Sequence, residues 1–228
     1  MSMAAPTPGA PLLDGIRVID LTAVVLGPLA TQQLADYGAD VIKIEPPEGD
    51  MMRANGVSRH PGMSSIYLGQ SRNKRSVALD LKTEAGRAAL RRLLPTADVL
   101  VHNMRVPAVE RLGFGYEAVR ALHPGIVYCA ATGFAQDGPH ALKPAFDDII
   151  QSASGLASLS AQDAGGPTYL PSLIADKVSG LATAQAILAA LVRRLRTGQG
   201  AYVEVPMLET MTAFTLADRR RWPERWSP

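Results

Sequence analysis

The sequence predicts an α/β fold, a parallel β-sheet with helices on both faces, and three observations carry that prediction. Short runs rich in Val and Ile alternate with longer segments of helical period along the chain. The 228 residues are 47% hydrophobic, enough to bury a full core. No internal repeat and no Pro/Ser-rich linker splits the body into separate units.

Each element follows from local chemistry. Arg17 to Leu21 reads as the first strand; Gly27-Pro28 then opens a helix that runs through Tyr37 and stops at Gly38. Val41 to Ile44 is the second strand. The segment Pro46-Pro47-Glu48-Gly49-Asp50 is a turn, and the chain from there to about Arg72 reads as a long polar excursion, a length that in α/β domains is usually functional or mobile. Ser76 to Leu81 forms a third strand, Thr83 to Leu94 a helix, and Asp98 to His102 a fourth strand. Short helices near Pro107 to Leu112 and Tyr116 to Leu122 precede a strand at Ile126 to Ala130. Phe146 to Ser154 and Asp176 to Arg194 are the next helices, with irregular chain between them. Ala201 to Val205 closes the sheet, and Met207 to about Leu216 is the last helix.

Composition narrows the function. The formal charge of +2 comes wholly from the last eleven residues, where Arg219, Arg220, Arg221 and Arg225 outnumber Asp218 and Glu224. A body without net charge, with 5% aromatic residues, has neither the electrostatic pull nor the stacking surface for nucleic acid. The single cysteine, Cys129, lies in an apolar run; it permits no disulfide framework and reads as core packing in a protein of the reducing cytoplasm. Residues 1–12 read as a flexible leader, without the cationic start and apolar core of a signal peptide. The most apolar stretch, Leu181 to Val192, is shorter than the ~20 residues of a membrane span, so a buried helix is expected and no membrane partner.

Common catalytic devices are missing from the sequence. No Gly-x-Gly-x-x-Gly follows the first strand, no Walker-type Gly-Lys-Ser/Thr occurs, and no Gly-x-Ser-x-Gly elbow is present. The histidines His60, His102, His123 and His140 lack the spacing of a helical metal pair, and no metal site is expected. Asp176 stands apart because it interrupts the apolar run Leu173-Ile174-Ala175 where a helix with Ser179, Gly180, Ala182 and Ala184 begins. Its position admits two readings. One is an N-cap, accepting backbone N–H bonds and kept ionised by the positive end of the helix dipole. The other is a nucleophile, since carboxylate covalent catalysis needs an ionised, desolvated carboxylate of this kind.

An ordered set of motifs separates these readings. Leu13-Asp14-Gly15-Ile16-Arg17-Val18-Ile19-Asp20-Leu21-Thr22, Gly27-Pro28 and Gly38-Ala39-Asp40-Val41-Ile42-Lys43-Ile44-Glu45-Pro46 open it. Asn73-Lys74-Arg75-Ser76, Leu79-Asp80-Leu81-Lys82, Ala97-Asp98-Val99-Leu100-Val101-His102-Asn103, Arg111-Leu112-Gly113 and Lys143-Pro144-Ala145-Phe146-Asp147 follow. Ala175-Asp176, Ser179-Gly180 and Thr197-Gly198-Gln199-Gly200 before Val203-Glu204-Val205 complete it. From Leu13 to about Phe214 the sequence resembles the class III CoA-transferases, the CaiB/BaiF and formyl-CoA transferase group. The resemblance implies the Rossmann-like large domain of that fold over residues 13–216.

It further implies that Asp176 attacks an acyl-CoA thioester, giving an aspartyl-acyl anhydride and then an aspartyl-CoA thioester, so that CoA passes to a small carboxylic acid. Coenzyme A enters as substrate, with no permanently bound cofactor. CoA contacts are implied for Val24, Val25 and Leu26, for Leu79, Asp80, Leu81 and Lys82, for Asn103, Met104, Arg105 and Arg111, and for Lys143, Phe146 and Asp147. Lys82 and Arg111 suit the nucleotide phosphates, because charge-assisted bonds to anions are the strong ones. Ala23, Val25 and Pro46 depart from residues found in formyl-CoA transferases and argue against formyl or oxalyl specificity. Phe146 stands where the related α-methylacyl-CoA racemases carry a histidine, and Phe cannot accept a proton. The resemblance implies an interlocked homodimer, while residues 217–228 read as an atypical basic tail in place of the family's continuation. The expectation is therefore a chain that stops before the family's small domain, with a catalytically inactive CoA-binding remnant as the alternative to an active transferase.

Overall fold

A computed structural model describes residues 9–160 and 166–216. Residues 217–228, read above as a basic tail, and most of the leader lie outside the described residues. The strands are Arg17–Leu21 (β1), Asp40–Glu45 (β2), Lys74–Ala78 (β3), Val99–His102 (β4), Val127–Thr132 (β5) and Ala201–Pro206 (β6). All pair in parallel, in the order β3-β2-β1-β4-β5-β6. The helices are Leu26–Asp36 (α1), Ser65–Ser71 (α2), Glu84–Leu93 (α3), Val106–Arg111 (α4), Tyr116–Leu122 (α5), Asp147–Ala153 (α6), Leu156–Leu159 (α7), Ile174–Thr197 (α8) and Met207–Leu216 (α9). This is the expected α/β architecture.

The central strands are buried on both faces, as parallel strands must be when helices cover each side. Successive side chains alternate. Val18, Val41, Val99, Val127 and Cys129 point to one face and pack on Leu34 of α1 and Ile187 and Leu191 of α8. Ile19, Ile42, Leu100 and Tyr128 point to the other and meet Leu90, Phe114 and Val119, from α3 to α5. Burial alone pushes the Cys129 thiol up to about 12, so it packs as a small apolar group.

Several boundaries differ from the sequence reading, each for a physical reason. β3 ends at Ala78 rather than Leu81, because the Asp80 carboxylate accepts the Lys82 N–H at 2.9 Å and its carbonyl accepts the Thr83 N–H, turning the chain out of the sheet. The helix expected at Phe146 to Ser154 is α6, and a further short helix, α7, follows Gly155, at φ 79°, in chain expected to be irregular. α8 is a full 24 residues and ends on Gly198 at φ 71°. By length and composition it could cross a membrane, contrary to the estimate from Leu181 to Val192. Its buried stripe, Thr183, Ala184, Ile187, Ala190 and Leu191, faces the core, while Leu181, Val192 and Leu195 on its other side stand exposed.

The excursion after β2 is more ordered than its polar sequence suggests. It contains a 3-10 turn at Met51–Ala54, capped by Asp50, and the helix α2, capped by Ser64. Arg53 pins it by pairing with Glu45 at 2.7 Å and lying 3.9 Å over the Tyr67 ring. Burial pushes the Glu45 carboxyl up, but bonds from Arg53, Ser76, the Asp50 amide and Tyr67 prevail and bring it down to about 2. Beneath lies a buried charge network. Lys43 pairs with Asp50 at 2.9 Å and donates to the Thr22 carbonyl at 2.8 Å. Lys74 pairs with Asp20 at 3.1 Å. These bonds tie the excursion and the start of β3 to the loop that leaves β1.

Candidate active site

Strand order reverses between β1 and β4, so the chain leaves β1 toward one face of the sheet and β4 toward the other. Such a switch point opens a crevice at the carboxyl edge of an α/β sheet. Two short loops bound it. In the first, Asp20 accepts the Thr22 N–H at 2.8 Å, and Val24 takes φ 71°, a left-handed conformation that strains a β-branched residue by roughly 1–3 kcal/mol. In the second, Asn103 clamps the first: its Oδ1 accepts the Ala23 N–H at 2.9 Å and its Nδ2 donates to the Ala23 carbonyl at 2.7 Å. Asn103→Ala is expected to lower stability by about 1–3 kcal/mol, because it strips both bonds from a partly buried peptide that precedes a strained residue. Urea unfolding checks this, and an unchanged midpoint would show that the clamp is dispensable.

Asp176 sits in the first turn of α8, opposite the first loop. It is not the N-cap. Leu173 is, and it makes no side-chain capping bond. The cap comes from 29 residues away: Asp147 at the start of α6 accepts the Asp176 N–H on Oδ2 at 2.9 Å. α8 comes close to the start of α1, since a Cβ on Gly180 would lie 2.7 Å from the Leu26 carbonyl. The Leu26 N–H in turn donates to the Asp176 carboxylate. The expectation that the helix start keeps this carboxylate ionised does not hold. Burial first, then the Asp147 charge, push its pKa up to about 7, and the Leu26 bond offsets only part of that.

Two clefts meet at Asp176. The first, about 570 Å3, is lined by Val24, Leu26, Asn103, Met104, Arg105, Lys143 and Phe146 among others. The second, about 520 Å3, is walled by Met52, Gln151 and the segment from Tyr169 to Leu173, together with Asp147 and Asp148. Val24, Phe146 and Asp176 belong to both, and Phe146 stands 63% exposed on the ridge between them.

The structure thus gathers at one carboxylate most of the residues that the sequence singled out. Others lie off the clefts. The Val25 side chain is buried in the core, so only its backbone could reach a ligand. Leu79, Asp80, Leu81 and Lys82 form the turn after β3, where Leu79 and Leu81 pack on the core and Lys82 is exposed. Arg111 is exposed in the last turn of α4. Sequence reasoning missed Thr132 at the end of β5, Gly133 and Gln136 just after it, and Met207, which line the first cleft. Their signal was available, since they lie at the carboxyl ends of β5 and β6, as the expected contacts follow β1, β3 and β4.

Fold and site together define an open α/β domain with a desolvated carboxylate in its switch-point crevice. The description CoA-transferase family III matches residues 13–219. A succinate–glutarate CoA-transferase from Agrobacterium fabrum is 41% identical over 210 residues, taking in 89% of this chain and 52% of that protein. A probable fatty acyl-CoA transferase from Mycobacterium tuberculosis is 37% identical over 209 residues, taking in 91% of this chain and 53% of that one. The crystal structure of a CaiB/BaiF family protein from Brucella suis superimposes with a TM-score of 0.87 at 33% identity, covering 95% of this chain and 58% of that chain. The chain belongs to CoA-transferase family III, and it spans about half the length of the curated relatives it matches.

Proposed function

We propose that this chain carries the covalent centre of a CoA-transferase that moves CoA between an acyl-CoA and a small carboxylic acid, with Asp176 as nucleophile. The observation that carries the reading is a partly buried carboxylate, poised near neutral pKa, at the junction of two clefts. A carboxylate oxygen of Asp176 adds to the thioester carbonyl, the C–S bond breaks, and CoA leaves as thiolate. The thiolate then attacks the aspartyl carbonyl of the mixed anhydride, releasing the first acid and leaving an aspartyl-CoA thioester. The acceptor carboxylate repeats the two steps in reverse. Two acyl transfers of modest barrier replace one exchange between poor nucleophiles.

The first cleft suits the CoA arm, because Arg105 and Lys143 offer cations to an anionic ligand and Asn103 fixes the loop beside it. The second cleft then takes the acyl group. An α-proton exchange of the racemase kind is disfavoured, since Phe146 fills the position such a reaction would give to a base.

Incubation with succinyl-CoA and hydroxylamine, followed by intact mass and peptide mapping, should place a hydroxamate on Asp176. Succinyl-CoA is the apt probe because several relatives are named for succinyl transfer. Absence of any modification at saturating succinyl-CoA would overturn the reading and leave a chain in which Asp176 is structural.

A further inference from the structure

Asp147 holds a position that binding CoA does not explain. Both its oxygens are engaged within the fold: Oδ2 accepts the Asp176 N–H at 2.9 Å and Oδ1 accepts Gln151 Nε2 at 2.6 Å. Gln151 continues the chain of bonds, its Oε1 accepting the Leu170 N–H at 2.9 Å and its Nε2 lying 3.2 Å from the Ser172 carbonyl. The first turn of α8 and the segment leading into it are therefore both tied to α6. A neutral Asn or Ser would cap a helix equally well. A second buried carboxylate beside the nucleophile instead adds repulsion, which an uncharged cap would avoid.

We propose that Asp147 is a positioning residue that fixes the first turn of α8 and, through its charge, favours the acylated form of Asp176 over the free carboxylate. The inference rests on Asp176 being the acyl acceptor. When the Asp176 oxygen bonds to the acyl carbon and the C–S bond breaks, the negative charge departs on the CoA sulfur. The repulsion with Asp147 is relieved at that step. Before it, the same repulsion raises the basicity of Asp176 and hence its nucleophilicity. The other charged groups that face the clefts are Arg105 and Lys143, from the loops after β4 and β5, and Asp148 of α6. Lys177 of α8 is turned to Ser172 Oγ at 2.8 Å, and α1 contributes the Leu26 N–H.

Asp147→Asn keeps an oxygen acceptor for the Asp176 amide and removes the charge, whereas Asp147→Ala removes both. Hydroxamate formation with succinyl-CoA, followed against pH, is expected to show the Asp147→Asn inflection about one pH unit below that of the wild type, with a plateau rate about tenfold lower. Asp147→Ala should lose more. A parallel 13C NMR titration of the Asp176 carboxyl, with no acyl-CoA present, should show the same downward movement. An Asp147→Asn protein that retains the wild-type inflection in the titration, or the wild-type plateau rate, would overturn the proposal. Wild-type protein that forms no hydroxamate would instead reject the transferase reading, and in that case the titration alone decides whether Asp147 sets the Asp176 charge.

Discussion

Asp176→Asn is expected to lower succinyl-CoA-dependent labelling and transfer by about 10^4-fold or more, because removing the proposed covalent nucleophile removes the pathway rather than a part of it. The pH dependence of the wild type follows from the same carboxyl. Its protonated form, dominant below a pKa of about 7, cannot attack. The acylation rate should therefore rise tenfold per pH unit up to about pH 7 and level off above it. Stability moves the opposite way. A carboxyl with a raised pKa binds its proton more tightly folded than unfolded, so stability falls as pH rises from the ordinary value of 3.8 toward about 7. Asp176→Asn, which stays neutral, should be more stable than wild type at pH 8 by about 2–4 kcal/mol and nearly equal to it at pH 3. Urea unfolding at the two pH values checks the second claim independently of the first. A variant that gains no stability at pH 8 would show that this carboxylate is not strained by its surroundings.

Asp20→Ala is expected to cost about 3–5 kcal/mol, the effect of breaking a buried ion pair by removing one partner. The Asp20 side chain is fully buried and accepts the Thr22 N–H at 2.8 Å, the Thr31 hydroxyl at 2.6 Å and Lys74 Nζ at 3.1 Å. Its loss would strand the Lys74 ammonium, itself 1% exposed, near Lys43. Burial tends to raise the Asp20 carboxyl, but Lys74, Lys43 and the two threonine hydroxyls hold it below its ordinary value. Its stabilisation is thus present above about pH 4 and fades as pH falls below that. Calorimetry should find the melting temperature lower by roughly 10 °C, on the scale of a domain this size. A drop corresponding to less than about 1 kcal/mol would mean that water enters and solvates Lys74. Because Thr22 and Lys74 together brace the loop that presents Val24, weaker succinyl-CoA labelling should accompany the loss of stability.

The parts of this fold that were legible in the sequence are those governed by local rules. β1, β2 and β4 announce themselves as runs rich in Val, Ile and Leu, and α1 by Gly27-Pro28 at its start and Gly38 after its end. What stayed hidden depends on partners far apart in the chain. The helix α2 is short and polar, and is held by Arg53, Glu45 and Tyr67, which no periodicity reveals. The apolar Leu79 and Leu81 make β3 look longer than it is, while the turn is set by the Asp80 side chain between them. The site shows the same division. Asp176 was conspicuous as an acid in an apolar run, yet its surroundings reversed the expected effect on its charge. The helix dipole and an amide favour the anion, but burial and Asp147 outweigh them. Local sequence around Asp176 contains no trace of Asp147, and the roles of Val24 and Asn103 likewise come from a contact across 80 positions.

α8 joins two ends of the molecule that share no chemistry. It begins at Asp176 on the carboxyl edge of the sheet and ends at the amino edge, where Arg194 grips Asp98 at 2.6 Å and the Gly125 carbonyl. The eighteen residue steps from Asp176 to Arg194 make a rigid rod of about 27 Å. A rod of that length acts as a lever. Rotation of about 2° about the Arg194 anchorage would carry the Asp176 carboxylate ~1 Å, a misplacement that can cost an enzyme ~100-fold in rate. Arg194→Ala is therefore expected to disturb the aim of the carboxylate from the opposite edge of the sheet. Drift selected or engineered at Arg194 would surface as altered turnover before it registered as altered binding.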